Sequence, residues 1–370
     1  MTKEEFWKSF DTLSLNDTTV AHKENNKTIE EISNDLKGIT PDKLYRYRSF
    51  DPSDYNIHAL ERNEIWASSL SEMNDILEYE PYWDPDTVLE TIENSIEMSK
   101  TLDINSFIEN NPGFIETFGP SMNLLKIPFI KEEAIARNMI LLNESKAIIN
   151  VAKEYPEIIT DKLKETLKST YVSCFSEDGC SNVMVGLYAD GAKGFILEYN
   201  TKDLISPCIK KENCDYSWAC PTLHHSPVLI PVNYREERYD VSEMLSGAFL
   251  QMGANNLQKK TNGGDTSYPS VTFHMDYLFS LKLAGRKDNS WKHEKEWRYV
   301  YSREGEDYAD KRHIPLKEAT PSAIILCPNC SNENKERIKS IANGHSIPLY
   351  QLIKDYRSRD YNAFKKEEIN

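Results

Sequence analysis

The sequence predicts an α+β protein built on a split, mixed but mostly antiparallel sheet with a helical insertion. Three observations lead there. Apolar residues make up 39% and aromatics 11% of 370 residues, enough for a sizeable core and too much for wholesale disorder. Short alternating segments with strand character occur before residue 84 and again after residue 169. Between them, residues 85–168 place apolar side chains at three- and four-residue spacing, the helical period.

In order along the chain, residues 1–40 read as an N-terminal helical extension. Ile29, Ile32 and Leu36 fall at helical spacing, Thr28 with Glu31 fits a capping box, and Pro41 ends the segment. Leu44–Phe50 alternates and is aromatic, so it reads as a strand. A short helix over Tyr55–Asn63, a strand over Ile65–Ser69 and a polar loop over Ser71–Glu80 follow. Helices are expected at Thr87–Met98, Lys131–Ala152 and Ile158–Leu167, separated by prolines. Strands resume at Tyr171–Ser176, Gly194–Tyr199 and Leu229–Tyr234, with helices at Val241–Gln258 and Phe273–Leu283. Glu294–Tyr301 is a further strand, and the end reads strand, helix, strand over Ala323–Cys327, Asn332–Ala342 and Ile347–Ile353. Residues 41–84 and 169–355 thus form one α+β domain, 85–168 the insertion and 356–370 a charged tail.

The formal charge of −15 argues against a protein that coats nucleic acid, which needs clustered Lys and Arg. Met1–Ala21 carries scattered acids and no apolar stretch of the signal-peptide kind, and no run of about 18 apolar residues spans a membrane. Seven cysteines in a chain this long do not form a disulfide framework. A soluble cytoplasmic protein without membrane contact is expected.

On a strand, side chains two apart share a face. Arg46 and Arg48 therefore point one way and Tyr45 and Tyr47 the other, making a forked cationic site for phosphate or carboxylate; a surface strand paired with acidic neighbours is the alternative, and the spacing alone favours it. The same alternation puts Glu294, Glu296 and Arg298 on one face, opposite Lys295 and Trp297. Adjacent carboxylates raise one another's pKa and suit a reaction through an oxocarbenium-like state; a salt-bridged edge strand is the alternative. Ser173 and Ser176 offer hydroxyls that fix a glutamate or a ligand amide, or simply end a strand. Asn74-Asp75 is a turn signature, either a capped turn or a ligand contact. Cys327-Pro-Asn-Cys330 has zinc-knuckle spacing, but Cys208, Cys214, Cys220, His224 and His225 are too widely spaced for a standard ribbon, so no metal is expected. The common phosphate loops are absent.

Tyr45-Arg46-Tyr47-Arg48, Met73-Asn74-Asp75-Ile76-Leu77-Glu78, Cys174-Phe175-Ser176-Glu177, Met184-Val185-Gly186-Leu187-Tyr188-Ala189 and Trp291-Lys292-His293-Glu294-Lys295-Glu296-Trp297-Arg298 occur in this order. Together they resemble a bacterial family catalogued as domain of unknown function 2971, over roughly residues 43–355. Ile76 stands where that family has proline, and Val185 where it has tryptophan. The order Arg, Ser, Glu-x-Glu, each on its own strand, is also similar to the pattern of ADP-ribosyltransferases. That resemblance implies an ADP-ribosyltransferase-like split sheet with NAD as co-substrate. It implies Arg46 or Arg48 on NAD phosphate or ribose, and Ser173 or Ser176 supporting the glutamate. Glu296 would face the ribosyl cation and Glu294 orient the acceptor, with an aromatic wall from Tyr47, Tyr188 or Trp66. Asn74, Asp75 and Arg298 complete the expected cofactor contacts. The acceptor would be a macromolecule, protein or nucleic acid. The role would be that of a bacterial toxin or phage-defence effector, with an antitoxin or defence-system partner. Two other readings stay open: a non-enzymatic binding module held by a buried Arg–Glu network, and a metal-dependent nuclease using Asp75, Glu78 and Glu296.

Overall fold

A computed structural model describes residues 1–11, 29–75, 77–101, 128–204, 228–261, 278–302, 313–315, 320–360 and 364–369. The strands are β1 (Lys43–Arg48), β2 (Glu64–Trp66), β3 (Ser68–Ser69), β4 (Thr170–Ser176), β5 (Phe195–Asn200), β6 (Val228–Pro231), β7 (Asn233–Arg235), β8 (Arg286–Asp288), β9 (Glu296–Ser302), β10 (His313–Pro315), β11 (Ala323–Leu326), β12 (Leu349–Lys354) and β13 (Phe364–Glu368). The main sheet has nine strands in the order β13-β12-β11-β5-β1-β4-β9-β6, with β3 beside β4. Every pairing in it is antiparallel except β11 with β12. The protein is therefore α+β with a mixed, mostly antiparallel sheet, as the alternation predicts.

The sheet is split in the middle. β1 pairs with β5 along its whole length, but meets β4 only where Tyr45 lies opposite Ser176. The far end of β4 is taken by β3, through Ser68 opposite Val172 and Ser69 opposite Tyr171. β1 and β4 thus diverge from one shared point, which opens the site described below.

Apolar layers cover both faces of the sheet. Leu44, Phe195, Leu197, Tyr199, Trp297 and Tyr299 join the main core. Tyr47, Ile196 and Ile325 pack against Met184 and Val185 of the helix Asn182–Tyr188. Burial on both sides explains the unbroken apolar run at the start of β5. The N-terminal helix Lys3–Asp11 belongs to the main core as well: Phe6, Trp7 and Phe10 are buried in it, and Trp7 Nε1 donates to the Pro231 carbonyl at 3.1 Å. The helices Pro85–Thr101 and Pro128–Glu154 pack against Ser242–Thr261, so the expected insertion gains a helix from a distant part of the chain. Gly253 lets two of these helices touch, since a Cβ there would lie 2.6 Å from Ser145 Oγ. Among the described residues, no helix is long and apolar enough to cross a membrane.

Several boundaries differ from the expectation. Ile65–Ser69 is two strands parted at buried Ala67, because β2 pairs with β10 and β3 with β4. Leu229–Tyr234 likewise breaks at Val232: its amide donates to Glu296 O at 2.9 Å, and the next amide donates to Gly285 O at 2.7 Å, which moves the chain from β9 to β8. The strand expected from Glu294 begins only at Glu296. The charged tail contains β13, an edge strand whose Lys365 and Lys366 reach Asp355 and Glu198; a charged edge is compatible with pairing on one side only. Helix Phe273–Leu283 is seen as Phe279–Ala284; Thr28 and residues 273–277 lie outside the described residues.

Candidate functional site

The divergence of β1 from β4 encloses a cavity of about 320 Å³. Ser176 lies opposite Tyr45 on one side and Glu296 on the other, so these three side chains share a face. Arg46 and Arg48, one residue out of phase, belong to the opposite face and enter the cavity through the split. Arg46 is buried, stacks over the Phe175 ring at 5.3 Å and donates to the Trp66 carbonyl at 3.1 Å, leaving its Nε without a partner. Arg48 donates to the Tyr47 carbonyl at 2.8 Å. Among the described residues, neither guanidinium has a carboxylate within ion-pair distance. Burial, with Arg48 adjacent, lowers Arg46 to about 9, and burial lowers Arg48 too. A buried and a half-buried arginine, neither neutralised by a carboxylate, favour an anion.

The carboxylates enter from the other side. A 3₁₀ turn over Asn289–Glu294, capped by Asp288, ends at Lys295 in the left-handed region, with φ 47°. That conformation costs a non-glycine residue about 1–2 kcal/mol and persists only when its surroundings hold it. Here Ser176 Oγ donates to the Glu294 carbonyl at 2.6 Å, and Lys295 pairs with Asp178 at 3.2 Å. The corner, rather than strand alternation, brings Glu294 to the side of Glu296. Between them stands Lys287 of β8, with Nζ 2.7 Å from Glu294 and 3.1 Å from Glu296. Arg298 binds Glu296 at 2.9 Å, Tyr79 at 3.0 Å, and Glu78. Tyr188 donates to Glu294 and accepts from Asn74 Nδ2 at 3.1 Å. Burial raises the Glu296 carboxyl to about 7, with Lys287 drawing it down and Glu294 pushing it up. Burial disfavours charge on Lys287, but Glu296 and Glu294 outweigh it and hold the ammonium protonated.

The cavity therefore brings together Arg46, Arg48, Tyr47, Ser176, Tyr188, Asn74, Glu294 and Glu296, with Trp66 in its wall. Three expected residues stand elsewhere. Ser173 is outside the lining: three positions from Ser176 on β4, it lies on the opposite face, where its hydroxyl donates to the Trp66 carbonyl at 2.6 Å, the acceptor that Arg46 also uses. Asp75 accepts from the Leu77 amide at 3.1 Å and lines a second cavity. Arg298 has no exposure at all, so it supports Glu296 instead of touching a ligand. Lys287 and Cys174 line the cavity without having been singled out in the sequence; only the alternation of β4, which puts Cys174 in phase with Ser176, signals either. Among the described residues, no group of three His, Cys, Asp or Glu is placed to hold a metal ion, which removes Asp75, Glu78 and Glu296 as a nuclease centre. Cys327 and Cys330 are buried free thiols, and Cys208, Cys214, Cys220, His224 and His225 lie outside the described residues.

No curated protein and no solved structure matches the chain, and nothing in the comparisons supports the likeness to ADP-ribosyltransferases. Over residues 184–299 the chain matches the family described as "Protein of unknown function (DUF2971)", a stretch that holds Tyr188, Lys287, Glu294, Glu296 and Arg298 and leaves Arg46, Arg48 and Ser176 outside it.

Proposed function

We propose that the protein binds NAD in the split cavity and transfers ADP-ribose from it to a macromolecule. One observation carries this reading: two arginines without carboxylate partners and two carboxylates line the same cavity. The arginines suit the diphosphate, and the Tyr188 and Trp66 rings suit an aromatic base. A volume of about 320 Å³ is at the lower end of the ~300–1,000 Å³ usual for small-molecule sites, so it takes one nucleotide half with the other half outside. In the reaction, the bond between nicotinamide and ribose C1′ breaks and its electron pair goes to the nicotinamide nitrogen. Glu296 faces the cation left on the ribose. The acceptor then forms its bond to C1′ and releases a proton.

Glu296→Gln keeps the volume and removes the charge. It is expected to lower nicotinamide release, followed by chromatography, about 10²–10³-fold while NAD still binds by calorimetry. Undiminished release sinks the reading. One observation favours a second: Glu296 is already matched by Lys287 and Arg298, as in a purely structural ion network holding a binding module. A calorimetric titration without NAD binding decides for that alternative.

A further inference from the structure

At about 320 Å³ the split cavity has room for one nucleotide half, and its charges select which. Three cations line it, Arg46, Arg48 and Lys287, with three carboxylates, Glu72, Glu294 and Glu296. Lys287 is taken by Glu294 and Glu296, and Arg298 holds Glu296 from behind. Glu72 Oε2 accepts from the Ser69 amide at 3.3 Å and closes the capping box of its own turn. The uncompensated charge is therefore that of the two arginines. Arg46, 5% exposed, uses Nη2 on the Trp66 carbonyl, and Arg48 uses Nη1 on the Tyr47 carbonyl. Among the described residues, Arg46 Nη1, Arg48 Nε and Arg48 Nη2 have no acceptor, and unlike Arg46 Nε they are not sealed from the cavity. Side chains two apart on one strand face start about 6–7 Å from each other, so both forks reach a single phosphate. A terminal phosphate carries a charge of about −1.5 to −2 at neutral pH and offers three oxygens as acceptors. Each phosphate inside a dinucleotide carries a single negative charge and has only two free oxygens. Charge and donor count of the arginine pair thus match a phosphate at a chain end.

We propose that the split cavity recognises a mononucleotide unit with its terminal 5′-phosphate on Arg46 and Arg48, so that nicotinamide mononucleotide serves in place of NAD as the glycosyl donor. The base and the bond that breaks are those of the NAD reading, on which this rests; the adenylate half lies outside the recognised unit. The bond between nicotinamide nitrogen and ribose C1′ breaks and its electron pair goes to the nitrogen. With water as acceptor, the water oxygen bonds to C1′ and gives up a proton to solvent, leaving ribose 5-phosphate. Nicotinamide mononucleotide, NAD and nicotinamide riboside are each titrated calorimetrically into the full chain, and nicotinamide release is followed by chromatography. The mononucleotide should release nicotinamide and bind within about tenfold of NAD, or more tightly. The riboside, which has no phosphate, should bind more than about tenfold more weakly than the mononucleotide, since it forgoes the charge-assisted bonds. Arg48→Gln should cost the mononucleotide about tenfold in affinity and the riboside less; should that variant not fold, the three ligands on the unaltered chain carry the test. NAD bound more than about tenfold more tightly than the mononucleotide, NAD turned over with the mononucleotide inert, a riboside within about tenfold of the mononucleotide, or an equal loss for both in Arg48→Gln overturns the proposal and leaves NAD as the donor. Binding of neither NAD nor the mononucleotide overturns both.

Discussion

Arg298→Met removes a guanidinium with no solvent exposure from a cluster of three carboxylates and two cations. In the variant, Glu78, Glu294 and Glu296 face Lys287 alone. Breaking a buried ion pair costs about 3–5 kcal/mol. The Ala284 carbonyl and the Tyr79 hydroxyl each lose a bond from Arg298, which adds about 1–3 kcal/mol where water does not replace it. The sum takes most of the ~5–15 kcal/mol by which folded domains exceed their unfolded chains. Loss of the cation also raises the Glu296 carboxyl's folded-state pKa further above the unfolded value. A group raised in this way destabilises progressively as pH climbs from the unfolded toward the folded pKa, so the deficit is larger at pH 8 than at pH 5. Glu78→Gln in the Arg298→Met background removes one of the unpaired charges and should return about 1–3 kcal/mol. Urea unfolding followed by tryptophan fluorescence, with an unchanged denaturant slope, measures all of this. An Arg298→Met protein within about 1 kcal/mol of the parent at pH 8, or a double variant weaker than the single, refutes the reasoning.

Because burial sets the Glu296 carboxyl near 7, nicotinamide release should rise with pH through about 7, where the carboxylate forms; Lys287→Met removes the ammonium that draws this value down, so the rising limb moves to higher pH in a pH–rate profile. Ser176→Ala frees the Glu294 carbonyl and the Asp178 amide at a cost of about 1–2 kcal/mol in thermal unfolding, and it should reduce turnover more than NAD affinity, since the corner at Lys295 loses its anchor. Gly194→Ala would set a Cβ 2.1 Å from the Arg48 carbonyl oxygen, so β1 must shift; a loss of about 1–3 kcal/mol and weaker NAD binding are expected by unfolding and calorimetry.

Local rules made much of this protein readable. Alternation placed Arg46 and Arg48 out of phase with Tyr45 and Tyr47, and helical spacing located the helices that flank residues 102–127. Both are short-range properties, determined by the two-residue and 3.6-residue periods of the backbone. The same periods mislead where a neighbour decides. Glu294 reads as a strand residue, yet the left-handed Lys295 and the Ser176 hydroxyl turn it off the strand. Ser173 and Ser176 are equivalent as residue types, but strand register sends only Ser176 to the cavity.

What the chain determined by itself is the longer strands and helices and the identity of the charged residues on them, whereas β8, β10, β13 and the helix Asn182–Tyr188 carry no such signal. Tertiary structure alone decided that β1 and β4 part after Tyr45, so that arginines from one face meet carboxylates from the other. It also set Lys287 between Glu294 and Glu296, and closed Arg298 off from solvent with Glu78 and Tyr79. The physical reason is that pairing between distant strands, and the burial that unbalances charge, depend on which segments meet, and no short-range period encodes that.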